Sequence, residues 1–87
     1  NLILWWLRSD GLAAARLGLS VSAKVGTAVR RNRLKRLTRA AFRHNRKHLR
    51  PGSDMVVCLR PACGWQSRCD AERDLLEACR KAGLLLS

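Results

Sequence analysis

The stretch Val25–Leu49, VGTAVRRNRLKRLTRAAFRHNRKHL, constrains this chain more than any other, because it lays a helical apolar repeat over a run of arginine and lysine that holds no carboxylate. Ten residues between Arg30 and Arg50 are basic: Arg30, Arg31, Arg33, Lys35, Arg36, Arg39, Arg43, Arg46, Lys47 and Arg50. Leu, Ala, Arg and Lys are good helix formers, and no Pro or Gly interrupts the run between Gly26 and Pro51. Thr27 is suited to cap the helix, Gly26 lets the chain turn just before it, and Arg50-Pro51 sets its end, since a residue before proline disfavours helix. At 100° per residue, Val29, Leu34, Leu37, Ala40 and Ala41 share one side, and Arg31, Asn32, Lys35, Arg36, Arg39 and Arg43 share the other. Arg30 falls among the apolar residues, which requires the first turn to overhang the core.

A charged helix face is ordinarily just a solvated face. Solvated faces, however, alternate their signs, whereas like charges three and four apart cost roughly 0.2–0.5 kcal/mol per pair. Arg31/Lys35, Lys35/Arg39, Arg36/Arg39 and Arg39/Arg43 are such pairs. A face that carries this cost, in a chain of net charge +12, points to an anionic partner, with nucleic acid ahead of an anionic bilayer. The bilayer reading is disfavoured because the flanking strands need the apolar stripe for their own core.

Eighty-seven residues make a single domain with a thin core. The longest apolar run, Leu2–Leu7, is far too short to span a membrane, and no secretory signal is visible, so a cytoplasmic location is expected. The chain begins with Asn in a strand-like segment, which suggests residues preceding position 1. Cys58, Cys63, Cys69 and Cys79 match neither a zinc-site nor a disulfide-scaffold spacing and read as buried or incidental thiols. His44 and His48, four apart, could chelate a metal but sit among cations and lack a partnering Glu. No metal site and no catalytic set of nucleophile and base is expected in the chain.

Around the basic helix the chain reads as small elements. Leu2–Leu7 is a strand buried on both faces or nearly so, turned by Arg8-Ser9-Asp10-Gly11, with Ala13–Ala15 ambiguous. Trp5 and Trp6 read as core, with a stacking platform for bases as the alternative. Arg16–Lys24 alternates, with Leu17, Leu19 and Val21 inward and Arg16, Gly18, Ser20, Ser22 and Lys24 outward. That outward face is either solvated or a flat surface for a nucleic-acid strand. Met55–Arg60 is continuously apolar up to its final arginine, hence a central strand. Ser67 and Asp70 form a variant capping box that opens a helix over Arg68–Ala82. That helix buries Ala71, Leu75, Ala78, Cys79 and Ala82, stops at Gly83 and faces away from the polyanion. The order strand, strand, helix, strand, helix predicts a two-layer α+β (α/β) fold, with both helices on one face of a small mixed sheet and the other face open.

The segment GLSVSAKVGTAVRRNRLKRLTRAAFR resembles the signature of the bacterial ribonuclease P protein family: Ser20-Val21-Ser22, then Val25-Gly26-Thr27-Ala28-Val29, then Arg31-Asn32-Arg33. The likeness continues through Leu34-Lys35-Arg36 and Arg39, and more loosely from Asp54 to Pro61. It implies a ribonuclease P protein-like fold, of the kind seen in the second domain of a ribosomal protein, and one such domain over residues 1–87. It also implies a subunit that helps a catalytic RNA, working with Mg2+ that the protein does not itself bind, to remove the 5′ leader from precursor tRNA. Arg31, Asn32, Arg33, Lys35, Arg36 and Arg39, with Arg43 beyond them, would lie on the catalytic RNA, while Ser20, Ser22, Lys24 and Arg60 would line the leader cleft. Neither DNA nor membrane is an implied partner. The family's usual Lys is replaced by Ala23 and its usual Asn by Thr27, and its N-terminal helix, one wall of the cleft, has no counterpart here, so the chain is expected to be N-terminally truncated relative to the family. The competing reading is a generic cationic RNA-binding or ribosomal-type protein with no part in tRNA processing.

Overall fold

A computed structural model describes residues 2–8, 15–61 and 63–85. The turn expected at Ser9–Gly11 and the ambiguous Ala13 and Ala14 lie outside the described residues. Three strands, β1 (Leu2–Arg8), β2 (Arg16–Val21) and β3 (Ser53–Leu59), and two helices, α1 (Ala28–Asn45) and α2 (Arg68–Ala82), follow in the order β1-β2-α1-β3-α2. β3 takes the middle of the sheet, antiparallel to β1 and parallel to β2, as its apolar run predicts. Since β2 and β3 run parallel, their connection must cross over, and α1 makes that crossing.

The register divides the sheet into two faces. Leu2/Leu59/Val21 and Leu4/Val57/Leu19 form rows on the helix side, where Met55, Val57 and Leu59 are buried with Leu34, Ala41, Phe42, Ala71 and Leu75 of the helices. On the opposite side stand Ile3/Cys58/Ser20, Trp5/Val56/Gly18 and Leu7/Asp54/Arg16. Both helices thus pack on one face, α1 over β2 and α2 over β1, as expected for the two-layer fold. β1 departs from expectation: Trp5 is 65% and Leu7 69% exposed, so the strand is covered on one side only. Uniform hydrophobicity hides this, because alternation cannot be seen when both faces carry apolar residues.

α2 forms over its expected span. The Ser67 hydroxyl accepts from the Asp70 backbone N–H at 3.4 Å, Asp70 accepts from Gln66 N–H at 2.9 Å, and Gly83 closes the helix at a left-handed φ of 74°. Ala71, Leu75 and Cys79 are buried, while Ala78 and Ala82 are half-buried. Thr27 caps α1 by accepting from Arg30 N–H at 3.3 Å, and Gly26 before it adopts φ 149°. The α-helix stops at Asn45, however, and Arg46–His48 tightens into a 3-10 turn before Pro51.

α1 is also turned roughly a quarter revolution from the apolar-only reading. Its buried residues are Leu34, Thr38, Ala41, Phe42 and Asn45, whereas Val29 is 80% exposed and Leu37 and Ala40 are half-buried. Thr38 and Asn45 tolerate the core because each donates to the carbonyl four residues back, Oγ1 to Leu34 O at 2.8 Å and Nδ2 to Ala41 O at 2.9 Å. Counting only apolar residues therefore misplaced the stripe's centre. β2 also stops short of Lys24: Ser22 caps a one-turn 3-10 helix, Ala23–Val25, by accepting from Lys24 N–H at 3.1 Å.

Candidate nucleic-acid interface

On α1, Asn32, Arg33, Arg36, Arg39 and Arg43 are exposed and Arg31 and Lys35 half-buried. Whether this face is compensated can be answered by following the carboxylates. Asp54 pairs with Arg16 at 3.0 Å, Glu72 with Arg68 at 3.1 Å, Asp70 and Asp74 with Arg73 at 3.7 and 3.3 Å, and Glu77 with Lys81 at 3.6 Å. Each described acid is held by a cation of β2 or α2, and among the described residues no ion pair draws on α1. The α1 cations, stacked on one helix with no described carboxylate against them, produce a field that favours a polyanion.

Two arginines of this region do other work. Arg30 donates from Nε to Val25 O at 3.2 Å and from its terminal nitrogen to Cys63 O, which ties the first turn of α1 to the loop before α2. This overhang accounts for its place among apolar positions, and a Cβ on Gly26 would stand 2.7 Å from its Cδ. Arg33 donates to Gln66 O at 2.8 Å and so lies at the junction of α1 with the same loop. Arg33 was expected on the RNA face by motif. The structure adds that part of its guanidinium already serves the fold.

The second set gathers through topology. Parallel pairing sets Ser20 opposite Cys58 and Val21 opposite Leu59, so Ser22 and Lys24 after β2 emerge beside Arg60 after β3. All four residues, Ser20, Ser22, Lys24 and Arg60, are exposed at this one end of the sheet. Ser20 lies on the open face, while Ser22 and Lys24 belong to the 3-10 turn rather than to the strand. Trp5 and Trp6, read from the sequence as core, are both exposed, Trp5 on this face and Trp6 on the helix side, and sequence reasoning missed Ile3, Leu7 and Val56 beside Trp5. Trp5 is thus available for stacking and is not core.

The remaining candidates separate cleanly. Cys63 and Cys79 are buried, and burial pushes both thiols up, Cys79 to about 11, so neither is a thiolate at neutral pH. Cys58 is half-buried and Cys69 exposed, both as free thiols. His48 falls in the 3-10 turn beyond α1, which breaks the helical spacing to His44. Among the described residues no group of three or more His, Cys, Asp or Glu is placed to hold a metal ion, and no helix is long and apolar enough to cross a membrane.

Comparison with known proteins agrees with this arrangement. A family model described as Ribonuclease P matches residues 1–83. The chain is 41% identical over 71 residues to the ribonuclease P protein component of Clostridium acetobutylicum, covering 82% of this chain and 60% of that one. It is 36% identical over 83 residues to that of Brevibacillus brevis, covering 95% and 66%. Among solved structures it is similar to a Staphylococcus aureus RNase P protein mutant, with TM-score 0.83 and 28% identity over 95% of this chain and 70% of the other. The chain spans between about half and two thirds of the length of the curated relatives it matches.

Proposed function

Because the chain belongs to the ribonuclease P protein family, we propose that it serves as the RNA-binding subunit of a cytoplasmic ribonuclease P, in which a catalytic RNA removes the 5′ leader from precursor tRNA. The observation that carries this reading is the carboxylate census: α1 presents a cationic face that no described acid compensates. Arg31, Asn32, Arg36, Arg39 and Arg43, with Lys35 and the solvent side of Arg33, seat the catalytic RNA. Arginine forks pair bidentately with phosphate, and Asn32 offers both a donor and an acceptor. Ser20, Ser22, Lys24 and Arg60 take the single-stranded leader at the end of the sheet, with Trp5 as a stacking platform beside them. The chain's part is to bind and orient; hydrolysis, and the Mg2+ it uses, belongs to the RNA.

The test is reconstitution of the full protein with a bacterial ribonuclease P RNA at low magnesium. Processing of precursor tRNA should rise, and affinity should increase for leader-bearing over mature tRNA. Absence of stimulation overturns the reading and leaves only a general RNA binder.

A further inference from the structure

Where the C-terminal half of α1 meets the first residues of β2, a groove of about 310 Å³ opens to solvent. Arg39, Arg43 and Arg46 line it from the helix side and Arg16 from the strand, over a floor that includes Leu17 and Phe42. Convergence from two elements distinguishes it from the outward α1 face, which helical periodicity alone explains. Asp54 engages Arg16 at 3.0 Å on the open sheet face, so four arginines less one carboxylate leave three charges uncompensated beside an apolar floor. Arg46 lies over the Phe42 ring, 5.9 Å from its centroid, with the buried phenyl beneath and the guanidinium outward.

From this geometry we infer that the groove is a subsite for one unpaired RNA nucleotide, its base against the Arg46 plane and the apolar floor and its flanking phosphates on Arg16, Arg39 and Arg43. The apolar floor of Leu17 and Phe42 suits the exposed face of an unpaired base, whereas a bare phosphate would make no use of it. Unstacked bases rest on arginine planes as they do on aromatic rings, and arginines chelate the phosphates beside them. The groove lies between the C-terminal half of α1 and the first residues of β2, at the end of the sheet opposite Ser22, Lys24 and Arg60. The inference rests on the reading of α1 as an RNA-binding helix and adds a preference for an extruded base.

Three synthetic RNAs test it with the full protein: a blunt duplex, the same duplex with one bulged nucleotide, and the bulge made abasic. The wild type should favour the bulge about tenfold over the other two, the worth of one stacked base. Arg16→Ala/Arg46→Ala should erase that preference while leaving blunt-duplex binding nearly intact, and Arg36→Ala should weaken all three alike. Arg16 and Arg46 are exposed, and matching circular dichroism confirms that the variant is folded. Equal wild-type affinity for bulged and blunt duplex, or an equal loss on both in the double variant, overturns the subsite. Failure of the wild type to bind any of the three overturns the underlying RNA-binding reading instead. In the holoenzyme, a defect of the double variant confined to leader-bearing substrate assigns the nucleotide to the leader, and one in assembly assigns it to the catalytic RNA. A defect in neither overturns the inference.

Discussion

The two helices share one core yet handle charge in opposite ways. α2 carries four acids, and each lies against an arginine or lysine of the same helix. α1 carries seven cations and no acid, and its only hydrogen-bonded guanidiniums, among the described residues, are those of Arg30 and Arg33 on loop carbonyls. α2 is therefore complete in itself, whereas the cations of α1 have no carboxylate complement among the described residues. Charge composition alone does not separate a structural helix from a binding one; the pairing does.

Truncating the core should treat the helices alike and give the largest effects. Leu34 and Leu75 are each 1% exposed, so Leu34→Ala and Leu75→Ala should each cost about 2–5 kcal/mol in denaturant unfolding. A cost confined to α2 would show that α1 is held by something other than its buried stripe. Surface charge should then split them. Arg36→Ala and Arg39→Ala should each weaken RNA binding roughly tenfold and make the salt slope shallower by about one unit, while Arg68→Ala and Lys81→Ala should leave both nearly unchanged. Equal effects from both helices would erase the distinction.

Arg30 sharpens the contrast within α1 itself. Arg30→Met should destabilise by about 1–3 kcal/mol, since it strips the donors from Val25 O and Cys63 O, with RNA affinity of the folded fraction little changed. Arg36→Met should do the reverse. The smallest effect is an alkaline pH dependence, since α2 buries a titratable thiol where α1 buries none, and Cys63 in the loop before α2 is shifted the same way. Cys79 is raised by burial from 9.0 to about 11. The folded state thus keeps a proton that the unfolded chain releases, and stability present below pH 9 is lost as pH rises toward 11. Cys79→Ala should flatten that part of the profile in thermal melts. An unchanged slope would assign it to other groups.

Much of this was legible in the residues. Thr27, Ser67 and Gly83 mark helix ends because capping is local chemistry, and an acid-free run from Arg30 to Arg50 announces a polyanion partner wherever the helix points. The apolar stripe of α1 was readable only in part, because Thr38 and Asn45 look polar in a sequence and become core residues by bonding their own helix. β1 showed that it was a strand but not which side would be covered.

Local rules thus account for the helices, their caps, the central place of β3 and the sign of the charge on α1. Which cations are free to meet that partner is a property of the assembled fold. Arg30 and Arg33 are indistinguishable from Arg36 by type, and only the packing of the 63–66 loop against α1 turns them toward backbone carbonyls. Ser22 and Arg60 stand 38 positions apart and become neighbours solely because β2 and β3 pair in parallel. Short-range chemistry is written in adjacent residues, whereas long-range register and the partners of each charge follow from many contacts summed over the whole core.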